Sequence, residues 1–173
     1  IKNGRSGIIG TINCCYGNTS FASPITTPES LNLNQMLHEM AEQKIDQCFL
    51  EVSSHSLSLK RVCGMNFSVG VFTNLSRDHL DFHGTMDNYK EAKKKLFRCN
   101  HIKKLVVNID DSVGREIATE FPENLLTVGI KKHADVMAED YSLSELGSSF
   151  VLKTPLGSCN IQTHLLGLHN IYN

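Results

Sequence analysis

Residues 51–97 read EVSSHSLSLKRVCGMNFSVGVFTNLSRDHLDFHGTMDNYKEAKKKLF, and the fold is decided there. Cys48-Phe49-Leu50 leads into Glu51, and Val69-Gly70-Val71-Phe72 leads into Thr73-Asn74. Short apolar runs that end abruptly in polar residues predict buried strands of a parallel sheet. Ligands of such sheets bind outside the carboxyl ends of the strands. Glu51, Ser53 and residues 74–79 therefore stand where chemistry is expected.

Upstream, Arg5 to Ile12 predicts a strand and residues 13–26 a loop, broken by Gly17, Asn18, Ser20, Ser23 and Pro24. Thr27-Pro28-Glu29-Ser30 is a helix start: Thr27 can cap, Pro28 suits the first turn, and Glu29 favours the positive end. Leu31, Leu33, Met36, Leu37, Met40 and Ala41 carry that helix to about Gln43. The pattern then predicts a strand over 47–52, a short polar helix over 53–60, a strand over 67–72 and a helix over 87–97. A strand over 105–108, a helix over 113–121 and a strand over 125–128 follow. This alternation predicts an α/β fold, a doubly wound, mostly parallel sheet flanked by helices, over residues 1–130. Strand-like runs at 135–143, 148–152 and 159–166, punctuated by Gly147 and Pro155-Leu156-Gly157, predict a small antiparallel β-sheet appended at 131–166. Residues 167–173 open a further segment.

A chain of 173 residues has room for one domain with a real core. With 17 Lys+Arg against 18 Asp+Glu, no charge excess draws it to nucleic acid or an anionic membrane. Two of the three lysines in Lys93-Lys94-Lys95 are expected on a solvated helix face. The six cysteines (Cys14, Cys15, Cys48, Cys63, Cys99, Cys159) form no C-x-x-C pair, which predicts free thiols in a reducing, cytoplasmic compartment. No signal peptide or membrane-spanning run is visible, and nothing sets an oligomeric state. Ile1 in place of Met reads as the interior of a longer polypeptide.

Three groups of residues suggest chemistry, each with a plainer alternative. Glu51 and His79 lie just past expected strand ends and could hold a divalent metal; a carboxylate suits magnesium, while an imidazole is less typical of it. Alternatively His79 is a loop histidine bonded to backbone. His83, four residues on, precedes Gly84, which argues against one continuous metal-binding helix. Arg61, after the serine cluster Ser53, Ser54 and Ser56, could grip an anion or simply pair with an acid. Thr26 and Thr27 could bind phosphate or carboxylate at a helix start, or Thr27 could merely cap.

In order and spacing, the series T-T-P-E-S, E-V-S-S-H-x-L-x-x-x-R-V, F-T-N-L-S-R-D-H-L-D-F-H-G-T-M and Y-x-x-A-K resembles the Mur ligases, and within them the MurE type. The resemblance covers nearly the whole chain. It implies an ATP-dependent amide-bond ligase of peptidoglycan synthesis, using ATP and Mg²⁺. Such a ligase adds a diamino acid, meso-diaminopimelate or L-lysine, to UDP-N-acetylmuramoyl-L-alanyl-D-glutamate (UDP-MurNAc-L-Ala-D-Glu) through an acyl phosphate. Residue by residue it implies Glu51 as a magnesium carboxylate, His79 as the histidine of a second metal, and Lys93 as a carbamylated lysine that ligates or orients Mg²⁺. Thr26, Thr27, Ser53 and Arg61 match contacts to the UDP-muramoyl peptide. The terminal G-L-H-N-I-Y-N resembles the segment beneath adenine, with Asn170 and Asn173 as nucleotide-binding asparagines.

Two positions depart from that pattern: Leu59 stands where the family often has Gln, and Ile25 where it often has Asn. The family's phosphate-binding loop, G-T-x-G-K-[ST], is expected upstream of Ile1, and its N- and C-terminal domains outside the chain. The isolated piece is expected to be inactive. The alternatives are another amide ligase of the superfamily, of folylpolyglutamate or cyanophycin type, and a non-catalytic binding module.

Overall fold

The computed structural model describes residues 5–172. In chain order the elements are β1 (Ser6–Ile9), β2 (Cys14–Tyr16), β3 (Thr19–Phe21), α1 (Ser30–Glu42), β4 (Gln47–Leu50), α2 (Ser54–Ser58), β5 (Asn66–Phe72) and α3 (Leu80–His83). They continue as α4 (Met86–Cys99), β6 (His101–Asn108), α5 (Ser112–Glu120), β7 (Leu125–Gly129), β8 (Val136–Ser144), β9 (Gly147–Thr154), β10 (Gly157–Thr163) and α6 (Leu168–Tyr172). The fold is α/β: a mostly parallel six-stranded sheet with helices, and a smaller mixed sheet. The described residues form two compact units.

The first unit takes residues up to 65 together with 79–100. Its sheet has the order β3-β2-β1-β4, with β4 parallel to β1 and the hairpin β2–β3 antiparallel. That hairpin occupies residues expected to be loop. Gly17, at φ +54°, makes the turn, and Cys14 and Tyr16 alternate inward on a strand too short to announce itself by period. Tyr16 donates to Glu39 of α1 at 2.7 Å. Helix α1 packs on β1 through Met40: a side chain at Gly7 would stand 2.9 Å from the Met40 sulfur. Leu33 of α1 is fully buried, and a side chain so placed stabilises by about 2–3 kcal/mol. Helices α2, α3 and α4 complete this unit, α4 touching both α2 and α3. Thr85 caps α4 by accepting from the Asn88 N–H.

The second unit takes residues 66–78 and 101–172. Strands β5, β6, β7 and β8 run parallel, and β9 and β10 continue the same sheet antiparallel. The antiparallel strands are thus joined to the parallel ones through β8. Strand β6 begins at His101, four residues before its expected start. Helix α5 is capped by Asp111 and packs on β6, where Gly114 comes so close that a Cβ would overlap the Asn108 carbonyl. Leu105, Val107, Val113 and Ile117 form the core beneath it.

The two apolar runs that announced the fold are strands but not fully buried ones. Phe49 of β4 and Val69 and Val71 of β5 are about half exposed, because each strand pairs on one edge only among the described residues. All six cysteines are free thiols, and no described helix is long and apolar enough to cross a membrane.

Candidate active site

In the first unit the ends of β1 and β4 carry a hydrogen-bonded knot. Glu51 Oε2 accepts from both the backbone N–H and the hydroxyl of Thr11, each at 2.8 Å. The hydroxyls of Thr11 and Thr26 lie 3.0 Å apart. Gly10 permits this approach, since a Cβ there would stand 3.0 Å from Glu51 Oε2. Oε1 of Glu51 has no hydrogen-bond partner among the described residues, and the residue is exposed.

Thr27 is fully buried and does not cap α1, contrary to expectation; Glu29 holds the cap position and makes no side-chain cap bond. The Thr27 hydroxyl instead donates to the Glu51 carbonyl at 2.8 Å and accepts from the Ser53 N–H at 3.0 Å. Ser53 caps α2 by accepting from the Ser56 N–H at 3.2 Å. The other two serines of the cluster are committed internally. Ser56 donates to the Ser53 carbonyl at 2.6 Å, and Ser54 bonds His83. Arg61 closes the knot: Nη1 donates to the Thr27 carbonyl at 3.0 Å and Nη2 pairs with the Glu29 carboxylate. Its Nε is buried without a partner among the described residues. Thr26, Thr27, Glu51, Ser53 and Arg61 are thus brought together.

His79 and Lys93 meet at a second place in the same unit, around the buried ring of Tyr89. The His79 ring lies edge-on to Tyr89 at 5.8 Å, and Lys93 Nζ stands 5.3 Å from the Tyr89 centroid. His79 takes a left-handed conformation, φ +53°, immediately before α3, which is uncommon outside glycine. His55 lies 4.9 Å from His79 and 5.5 Å from His83, centroid to centroid. The His83 ring stacks on Tyr89 at 5.0 Å and places Nε2 2.9 Å from the Ser54 hydroxyl. Burial, with the neighbouring positive charge of His55, His79 and Lys95, lowers the His83 pKa below its usual value. A neutral ring is therefore kept in the middle of the cluster. His55 and Tyr89 stand in the motifs E-V-S-S-H and Y-x-x-A-K, yet sequence reading gave neither a role at the site. Lys94, expected on a solvated face, is buried, because it falls three residues before Phe97 on the inward side of α4.

Among the described residues no three His, Cys, Asp or Glu side chains gather into a metal-binding group. The open oxygen of Glu51 fits a hard cation that keeps few protein ligands and takes its remaining oxygens from water and phosphate.

Asn170 belongs to the second unit. Its side chain donates to the Leu166 carbonyl at 2.8 Å and lies 3.2 Å from His169 Nε2. Asn173 lies outside the described residues. The neighbours of Asn170 in α6, His169, Ile171 and Tyr172, line a cleft of about 970 Å³ with Thr73, Asn108 and Asp110. Asp110, missed by sequence reading, accepts from the backbone N–H groups of Ile130, Lys131 and Lys132 and from the Tyr172 hydroxyl, all at 2.7–2.9 Å. Leu59 and Ile25, the two departures from the family pattern, are exposed.

Residues 2–173 match the family described as the Mur ligase middle domain. The chain is 46% identical over 172 residues to the UDP-N-acetylmuramoyl-L-alanyl-D-glutamate–2,6-diaminopimelate ligase of Alkaliphilus metalliredigens, covering 98% of this chain and 35% of that protein. It is 45% identical to the ligase of the same name from Alkaliphilus oremlandii, covering 96% of this chain and again 35% of the relative. A solved structure of such a ligase superposes with a TM-score of 0.86 at 33% identity, over 99% of this chain and 36% of that one. The chain spans about a third of the length of the relatives it matches. Motif order, fold and these likenesses agree, and the chain belongs to the Mur ligase middle-domain family.

Proposed function

We propose that this chain is the central part of a cytoplasmic, ATP-dependent ligase that joins 2,6-diaminopimelate to UDP-MurNAc-L-Ala-D-Glu in peptidoglycan synthesis. The observation that carries the proposal is the knot of Thr26, Thr27, Glu51, Ser53 and Arg61 at the ends of β1 and β4, in a chain 46% identical to a ligase so named. Choice of diaminopimelate over L-lysine follows the names of the relatives.

In this reading the γ-phosphoryl group of ATP passes to the D-glutamate carboxylate. The amine of the incoming amino acid then attacks the acyl phosphate, forming the amide and expelling phosphate. Phosphoryl transfer depends on positioning and on neutralising charge. Arg61 and Thr26 hold the anionic peptide, and the buried Thr27 anchors Arg61 through its carbonyl. Glu51, His79 and Lys93 as its carbamate are the residues that would hold Mg²⁺, which when bound neutralises phosphate charge. Carbamylation matters because an ammonium at Lys93 would repel the metal. The Tyr89 ring lies beside both His79 and Lys93. The cleft beside Asn170 takes the nucleotide; the resemblance adds Asn173 to the same ligand.

The test is phosphate release by the ligase that carries this chain, with ATP, Mg²⁺ and UDP-MurNAc-L-Ala-D-Glu, adding meso-diaminopimelate or L-lysine in separate reactions. Release dependent on diaminopimelate is expected. Release only with lysine would correct the amino acid, and none with either, from folded protein, would sink the reading.

A further inference from the structure

We infer that Glu29 is an internal occupant of the Arg61 guanidinium, which an anionic group of the substrate displaces. The inference rests on the reading of Arg61 as a substrate contact and adds to it a competitor built into the fold. The Arg61 fork is only partly used: Nη1 is on the Thr27 carbonyl, Nη2 is on Glu29, and Nε is buried with no partner among the described residues. A buried N–H left unmet is costly and uncommon. A carboxylate that approaches a guanidinium side-on takes two parallel hydrogen bonds, here from Nε and Nη2. Glu29 engages Nη2 and leaves Nε orphaned. An incoming carboxylate or phosphate takes Nη2 over and satisfies Nε in the same step.

The two partners are unequally held. The Arg61 side chain is 13% exposed and that of Glu29 is 61% exposed, so the cation stays and the anion swings away. Arg61 remains anchored through Thr27, whose hydroxyl is itself tied to Glu51 and Ser53. Once released, Glu29 still sits at the cap position of the 13-residue α1, where the positive helix end favours a carboxylate. Displacement therefore leaves no charge stranded. It also makes occupancy of Arg61 selective, since a ligand must offer an anion good enough to replace one already present.

Glu29→Gln in the ligase that carries this chain removes the competing charge. The KM for UDP-MurNAc-L-Ala-D-Glu and its Kd by calorimetry are expected to fall about two- to fivefold, the range of an ion pair whose carboxylate is open to solvent. The kcat and the KM for ATP are expected to stay unchanged. Titration with UDP alone distinguishes the incoming group: tightening there identifies the diphosphate, and tightening confined to the full substrate identifies a carboxylate. Arg61→Lys, which keeps the charge and loses the fork, is expected to raise the substrate KM about tenfold or more. An unchanged KM in Arg61→Lys would refute the reading of Arg61 as a substrate contact. A raised KM there, with an unchanged or raised KM in Glu29→Gln, would make Glu29 a fixed brace and overturn the inference alone.

Discussion

Glu51, one residue past β4, and Asp110, two residues past β6, are both carboxylates at the carboxyl end of a parallel strand, and they are satisfied very differently. Asp110 accepts from three backbone N–H groups and a tyrosine hydroxyl. Burial alone would raise its pKa, but the N–H groups of Ile130 and Lys131, the Tyr172 hydroxyl and the N–H of Lys132 overcome that and hold it below its usual value. The same pairing, added to burial, pushes the Tyr172 hydroxyl up to about 12. Asp110 is thereby a clasp that fastens residues 130–132 and α6 to the end of β6. Among the described residues Glu51 is met by Thr11 on one oxygen only. A carboxylate at a strand end becomes structural when the fold supplies donors for all of it, and chemically available when the fold stops halfway.

The comparison breaks most visibly at Glu51. Under the proposed ligase function, Glu51→Gln in the protein that carries this chain is expected to lower kcat/KM about 100-fold or more, the scale of losing charge stabilisation in phosphoryl transfer. Its unfolding midpoint should barely move; a collapsed midpoint would make Glu51 a clasp like Asp110. Thr27→Val comes next. It strands the Ser53 N–H and the Glu51 carbonyl against a fully buried side chain, and denaturant unfolding should record a loss of about 1–3 kcal/mol.

Asp110→Asn sharpens the contrast from the other side. It should cost about 1–3 kcal/mol in denaturant unfolding, where Glu51→Gln costs almost nothing. Because the folded pKa of Asp110 lies below the unfolded 3.8, its contribution is present above pH 3.8 and is lost as pH falls through the folded value. The smallest effect concerns His83. Its folded pKa lies below the usual 6.5, so below pH 6.5 the unfolded chain binds a proton that the folded chain refuses. Stability should therefore decline as pH drops from 6.5 toward the lower folded value, and His83→Gln should flatten that slope.

Strand and helix order was legible because apolar period and punctuation are local properties. The runs before Glu51 and Thr73 are β4 and β5, and α4 begins within a residue of its expected start. The resemblance gave Thr27, Ser53 and Arg61 as contacts to one substrate and Glu51 as a magnesium carboxylate; that hydrogen bonds link all four is visible only in the structure. Local pattern failed where a residue's role depends on a distant partner. The hairpin β2–β3 was hidden by its turn residues, and it is a strand pair only because β1 offers an edge to Cys14 and Cys15. Thr27 has the chemistry of a cap, yet burial against Glu51 and Ser53, 24 and 26 residues away, claims its hydroxyl. Tyr89 reads as one apolar position on a helix and turns out to be the floor shared by His79, His83 and Lys93.

By itself, then, the sequence determined the alternation of elements, the family and the identity of the polar residues at the strand ends, since each is written in residue type and spacing. Only the tertiary structure decided which of those polar groups are used up. Saturation of a carboxylate or a guanidinium depends on donors and acceptors brought in from tens of residues away. That is why, among the described residues, Asp110 is closed, Glu51 is half open, and one N–H of Arg61 has no acceptor.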